Sequence, residues 1–285
     1  MKSTQAKRGN TLLSGLAGLA MALAAGSSQA YVIGGPANTG SSSYGWTGPA
    51  NEDLREALEN PNFFGPGGVI EESVTTTDIS FPSADPFAGV DGFISPWWFE
   101  SVSGPYEQAV VDFFLGGGDL WLLQDSQTED GIGDLLGVPT VGQTAITPVN
   151  GTAPLFDGPF GVANDVEQGG GLEGYVSEQD VLDANGTVIG RNTENQVIAA
   201  FWGADQYAPG AGALIIVPDI DMFTTRATFG PELSDLDDNA RFALNAFAFL
   251  ATSDAPIDEG PNPVPLPGTL ALVALGLLTL RKRQR

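Results

Sequence analysis

The chain has 285 residues, with 11 Lys+Arg against 35 Asp+Glu and neither His nor Cys. These absences exclude disulfides, thiolate metal centres, thiol nucleophiles and every imidazole-based pair or triad. A net charge of −24 excludes a nucleic-acid backbone as partner, which needs basic patches, whereas 42% hydrophobic and 9% aromatic residues fit a folded core.

Residues 1–30 read as a secretory signal peptide. Lys2, Lys7 and Arg8 open it, residues 12–25 are rich in Leu and Ala, and Gly26-Ser27-Ser28-Gln29-Ala30 is a small-residue cleavage site. Cleavage is expected between Ala30 and Tyr31. The apolar stretch is short and ends in small polar residues, which disfavours a membrane anchor.

Residues 31–253 read as one α/β domain. A short strand over 31–33 leads into Gly34-Gly35-Pro36, read as a flexible turn. A helix over 51–59 is capped by Asn51, with Glu52 and Asp53 in its first turn. Residues 73–79 and 89–94 read as strands. Trp97-Trp98-Phe99-Glu100 follows a strand end. The aromatic pair reads as core packing, with stacking on sugar rings as the alternative.

A helix opens at Pro105, because Tyr106, Ala109, Val110, Phe113 and Phe114 recur at helical spacing. Gly116-Gly117-Gly118 stops it, and residues 119–123 form a buried strand. Glu129-Asp130-Gly131-Ile132-Gly133-Asp134 fails as a calcium loop, since Ser126 and Thr128 would hold its first and third positions. It reads instead as a helix start leading into Leu135-Leu136. Asn185-Gly186 predicts a β-hairpin turn within residues 183–188. Residues 197–202 and 213–217 are two more strands. The last helix is expected from near Ser234 to Leu250, with Asp235, Asp237 and Asp238 in its first turn. Phe242, Ala246, Phe249 and Leu250 form its core-facing stripe.

Helix, triple glycine and apolar strand together predict an open, mostly parallel sheet flanked by helices, flavodoxin-like, with a β-hairpin insertion. Ligands of such sheets bind at the carboxyl ends of strands. Asp125, Asp219 and Asp221 end two strands and are the candidate metal ligands. Hard cations take carboxylate oxygens, so Ca²⁺ or Mg²⁺ would suit them. Capping of loops or helices is the alternative role. Paired acids also cleave glycosides without His or Cys, and Asp125, Glu100, Asp219 and Asp221 are the candidates. Ser126 beside Asp125 has no strong base to activate it. Gly169-Gly170-Gly171, like Gly34-Gly35-Pro36, matches no phosphate-binding fingerprint.

Beyond the domain, residues 254–263 form an acidic, proline-containing spacer. Val264-Pro265-Leu266-Pro267-Gly268 follows, then an apolar run over 269–280, then Arg281-Lys282-Arg283-Gln284-Arg285. The run is too short to span a bilayer comfortably, and the basic cluster would stay cytoplasmic. This tail resembles the PEP-CTERM sorting signal of Gram-negative bacteria, with Leu266 where Glu is usual. The resemblance implies recognition and cleavage by an exosortase after export. It also implies transient membrane contact through the C-terminal helix and delivery to the cell surface or extracellular matrix. Without both end segments, four basic residues (Arg55, Arg191, Arg226, Arg241) face all 35 acids, a net charge of −31. Such a surface points to a salty environment, bound divalent cations, or acidity serving solubility alone.

Four further stretches resemble the class I glutamine amidotransferase-like superfamily. Residues 116–123 look like the turn and strand before its nucleophile elbow. Residues 154–161 resemble a loop often written His-Pro-x-x-x-Gly. Residues 217–223 resemble a strand ending in Gly-Asp-Ser-Asp-x-Phe. Asp238-Asn239-Ala240-Arg241-Phe242-Ala243-Leu244-Asn245 resembles a closing Asp-Asn-x-x-Phe-x-x-Asn helix. The elbow reads Gln124-Asp125-Ser126, and Ala153 stands where the loop often has His. The resemblance therefore implies the fold, while the usual glutaminase chemistry is excluded. The expectation is an exported, non-catalytic binding or assembly module. Its partners would be the export machinery, an exosortase and extracellular polysaccharide. A carboxylate-dependent glycan hydrolase and a Ca²⁺-dependent adhesion module are the alternatives.

Overall fold

Apolar strands of the central sheet send alternate side chains to two separate cores, the pattern of a sheet buried on both faces. The computed structural model describes residues 30–37, 43–96, 105–123, 131–142, 147–170 and 174–253. The expectations for Glu100, Asp125, the Trp97-Trp98 pair, the signal segment before Ala30, the spacer and the sorting segment fall outside these residues.

The strands are β1 (Tyr31–Pro36), β2 (Val74–Ile79), β3 (Gly92–Ser95), β4 (Asp119–Leu122), β5 (Pro148–Gly151), β6 (Asp157–Gly158), β7 (Gly161–Val162), β8 (Val166–Glu167), β9 (Thr187–Asn192), β10 (Val197–Trp202) and β11 (Leu214–Ile216). The helices are α1 (Glu52–Leu58), α2 (Pro105–Leu115), α3 (Ile132–Leu135), α4 (Glu178–Asp183), α5 (Asp221–Thr224) and α6 (Asp238–Thr252). Nine strands form one sheet in the order β2-β1-β3-β4-β11-β10-β9-β5-β8, while β6 and β7 pair separately. The first five in that order run parallel. From β10 onward each neighbour is antiparallel. This is the expected open α/β sheet, extended at one side by an antiparallel arm.

Phe93, Leu120, Leu122, Leu214 and Ile216 face one core, closed by Tyr106, Val110 and Phe114 of α2, Ile132 of α3 and Val181 of α4. Ile33, Ile94, Trp121 and Ile215 face the other, closed by α1, α5 and α6. Trp121 is wedged between Phe223 and Phe247, at ring-centroid distances of 5.0 and 4.8 Å. Phe242 stacks on Phe223 and meets Phe156.

Helix α6 is buried nearly all round, from Asn239 to Leu250. Phe242, Ala246 and Leu250 of the expected stripe are buried, and Phe249 is half-buried against Phe201. A helix apolar on every side needs covering on every side. The sheet covers one side. The segment carrying β6, β7 and β8 covers the other, and three polar side chains of α6 hold it. Asn245 Nδ2 donates to the carbonyls of Leu155 (3.1 Å) and Gly161 (3.0 Å), and its Oδ1 accepts the Phe160 amide (2.9 Å). Asn239 Nδ2 donates to the Glu167 and Met222 carbonyls, and its Oδ1 accepts the Glu167 amide. Asp238 Oδ2 accepts the amides of Asn164 and Asp165, both at 2.8 Å.

Several local expectations are corrected. Gly34-Gly35-Pro36 is not a turn but the second half of β1. A Cβ on Gly35 would lie 2.4 Å from Trp46 Cγ, and one on Gly34 would lie 2.4 Å from Ile79 Cδ1, so close packing dictates these glycines. Asn185-Gly186 joins α4 to β9 instead of turning a hairpin, with Asn185 at φ +61°. The hairpin lies one connection later, between β9 and β10, where Asn195 takes φ +64°. Asn51 makes no cap. Its buried amide instead donates to the Tyr44 and Gly45 carbonyls, both at 3.1 Å. The last helix starts at Asp238, because Asp237 caps it through the Ala240 amide and Leu233–Asp235 is a separate 3-10 turn.

The clamp predicts that Asn245→Ala strips partners from three backbone groups. Each buried group left without a partner costs about 1–3 kcal/mol. Chemical denaturation should therefore show a loss of about 3 kcal/mol or more. A loss under about 1 kcal/mol would mean that water replaces the asparagine without penalty.

Candidate functional site

The chain passes from β1 to β2 on one side of β1, whereas β3 lies on its other side. Such a reversal opens a crevice at the carboxyl ends of the flanking strands, where α/β sheets hold ligands. Segments 38–42, 97–104 and 124–130, which follow β1, β3 and β4, lie outside the described residues. The described part of this edge comprises Ser95, Tyr106, Tyr44 and the residues after β11.

Ser95 ends β3 and is buried, with Oγ 3.4 Å from the Tyr106 hydroxyl. Asp219 follows β11 and is fully buried. Its Oδ2 accepts the Gly169 amide at 2.9 Å and its Oδ1 accepts the Met222 amide at 3.0 Å. One carboxylate thereby ties the start of α5 to the segment after β8 through charge-assisted bonds. Asp221 is half-buried, and its Oδ1 accepts the Tyr44 hydroxyl (3.4 Å) and the Thr224 hydroxyl (3.2 Å). A Cβ on Gly169 would lie 2.5 Å from the Asp221 Cβ, so only glycine lets the segment pass this close. Buried Gln168 accepts from Thr147 Oγ1 at 3.2 Å, while its Nε2 has no hydrogen-bond partner among the described residues.

Asp219 and Asp221 both lie at the carboxyl edge after β11. Asp125 lies outside the described residues. Among the described residues, no three His, Cys, Asp or Glu side chains are grouped to hold a metal ion. Both Asp219 oxygens serve the backbone, which is the capping role weighed against cation binding. Sequence reasoning did not assign roles to Asn239 and Asn245. Their signal was visible: two asparagines six residues apart in a helix dominated by Ala, Phe and Leu imply buried hydrogen bonding.

The charged groups divide unequally. Arg191 pairs with Glu178 (2.6 Å), Arg226 faces Glu167 (3.7 Å) and Arg241 pairs with Asp238 (2.8 Å). Arg55 donates to the Trp46 carbonyl and lies over its ring. Each described arginine already faces an acid or a carbonyl, so no cluster of free guanidinium groups exists among them for an anion. Away from the sheet edge, a groove of about 380 Å³ is lined by Asp53, Glu56, Asn60 and Pro61 on one side and Phe229 and Pro231 on the other.

Burial acts most strongly on the Asp238 carboxyl and opposes its ionisation. The Asp165 and Asn164 amides and the Arg241 guanidinium together outweigh burial and hold it below its ordinary value. A carboxyl lowered on folding stabilises the fold fully above its ordinary range and loses that contribution as pH falls through the lowered value.

No family model matches the chain, and no curated protein matches it. Among solved structures, it is similar to the mmIFT52 N-terminal domain, at 12% identity and a TM-score of 0.50, over 80% of this chain and 100% of that one. It is also similar to a GMP synthase component from Thermoplasma acidophilum (12% identity, TM-score 0.48, 79% of this chain and 96% of that one). A third is PurLQS from Thermotoga maritima (9% identity, TM-score 0.44, 77% and 98%). These likenesses concern the fold alone.

Two outcomes are expected. Asp219→Ala should lower stability by roughly 2–4 kcal/mol, since two buried amides lose a charged acceptor. Denaturant titration should show the same loss with and without Ca²⁺; a loss appearing only with Ca²⁺ would make Asp219 a ligand instead of a brace. For Asp238→Asn, the melting-temperature deficit should be largest near neutral pH and shrink on acidification below the carboxylate range. A deficit independent of pH would overturn the ionised clamp.

Proposed function

We propose that this chain is an exported protein, sorted by an exosortase to the cell surface or extracellular matrix, whose domain binds or assembles without catalysing a reaction. The domain is read as a glutamine amidotransferase-like fold without its catalytic residues. The observation that carries the non-catalytic reading is the use of Asp219. In a chain without His or Cys, carboxylates are the acid-base groups left for hydrolysis, and this one is buried with both oxygens on backbone amides. The signal segment at residues 1–30 and the three-part tail at 264–285 support export and sorting. Among the described residues, no helix is long and apolar enough to cross a membrane.

Electrostatics narrows the ligand. With 32 acids between residues 31 and 253 and its described arginines already engaged, the domain repels acidic polymers. A neutral polysaccharide, or a partner bridged by divalent cations, fits better than an acidic glycan. Turnover of a glycan or peptide by the purified protein, abolished by changing Asp125, would overturn the binding reading.

Sorting is tested by cell fractionation. Wild type should reach the surface or matrix fraction and lose its C-terminal segment. A chain lacking residues 264–285, or carrying Pro265→Ala with Pro267→Ala, should be exported but no longer retained there. Equal retention of wild type and both variants would sink the sorting assignment.

A further inference from the structure

Two distant parts of the chain meet on one carboxylate. Asp119 opens β4 and is buried. Its Oδ2 accepts the Tyr31 hydroxyl at 2.9 Å and lies 3.4 Å from Ser253 Oγ, while its Oδ1 accepts the Ala213 amide at 2.7 Å. Tyr31 is the first residue of β1, and its amide donates to the Ser73 carbonyl at 2.7 Å. Ser253 is the residue after α6. A Cβ on Gly92 would lie 2.1 Å from the Tyr31 hydroxyl oxygen, so the ring lies across the start of β3 as well. Tyr31, Gly92, Asp119 and Ala213 all stand at the amino ends of the parallel strands.

Both boundaries of the domain therefore leave from its amino edge. The crevice edge, with Asp219 and Asp221, lies at the other end of the same strands. A four-residue strand separates the two edges by about 13 Å, before the loops are added.

We propose that the domain is held by its amino edge, so that this edge faces the attachment surface and the crevice edge faces outward. The proposal rests on the sorting reading. Residues 254–263 then act as the tether. Ten residues reach at most about 35 Å even when fully extended, which keeps the Asp119 corner close to the surface. The acidic domain, repelled by an anionic envelope, is further biased to stand off through its tether.

The chain contains no cysteine, so single-cysteine variants report one position each. Leu115→Cys marks the amino edge, where Leu115 is 42% exposed at the end of α2. Thr225→Cys marks the crevice edge, where Thr225 is exposed just after α5. Intact cells carrying the full chain are treated with a small maleimide and with a large polyethylene-glycol maleimide. The small reagent should modify both positions. The large one should modify Thr225→Cys several-fold faster than Leu115→Cys, and detergent release should abolish the difference. Equal rates with the large reagent, while the chain fractionates with the surface, would overturn the orientation and leave sorting standing. Failure of the small reagent to reach either position on intact cells would overturn the sorting reading, and the orientation with it.

Discussion

Helix α6 is the constraint on which the rest of the fold depends. It is buried around nearly its whole circumference, so no single layer can cover it. The parallel sheet supplies one layer through Trp121 and its neighbours. The second layer is irregular chain with few ladder bonds of its own, made of two-residue strands and turns. Irregular backbone is stable against a core only when its polar groups find partners. Asn239 and Asn245 provide them from inside the helix. The same helix is therefore both the apolar centre and the hydrogen-bonding template for the segment that covers it. That segment in turn delivers Gly169 to Asp219 and so builds part of the carboxyl edge of the sheet.

The acidity of the chain is partly a structural resource. Besides Asp219 and Asp238, carboxylates accept hydrogen bonds from backbone amides: Val32 donates to Asp91, Thr76 to Glu59, Gly131 to Glu107, Gly210 to Asp205 and Thr228 to Asp237. Loops rich in glycine leave many amides outside ladders and helices, and an ionised carboxylate is a strong acceptor for them. Many acids and many glycines are thus two sides of one construction. The large negative charge is the electrostatic consequence, tolerable where salt screens it within about a Debye length of 8 Å.

What could be read from sequence follows from where the stabilising contacts lie. The helix at α2 and the strand at β10 were legible, because their apolar spacing is local and their boundaries are marked by Pro105, by the triple glycine at 116–118 and by a continuous apolar run. The antiparallel arm was not. β5 is four residues long and largely exposed, and β8 is two residues long. Contacts with α6, far along the chain, decide that arm. Asn185-Gly186 failed for a different reason. A left-handed residue ends a helix as well as it turns a hairpin, and the dipeptide alone cannot distinguish them. Gly34-Gly35 misled because a glycine demanded by a neighbouring tryptophan looks the same in sequence as one demanded by a turn. At the candidate site, the placement of Asp219 and Asp221 was legible from strand ends. Their engagement was not, since the Gly169 amide lies fifty residues from its acceptor.

The pairing of the arginines reaches into the chemistry of survival outside a cell. Between residues 31 and 263 there is no lysine, so trypsin-like proteases find only four candidate bonds there. Arg55 sits in α1, Arg191 in β9 and Arg241 in α6, each within regular structure that cannot enter a protease cleft without local unfolding. Arg226, exposed between α5 and α6, is the one bond of the four that is not within regular structure. A fold that binds its backbone with carboxylates instead of lysines has, by the same choice, removed most of the handles by which such enzymes would digest it.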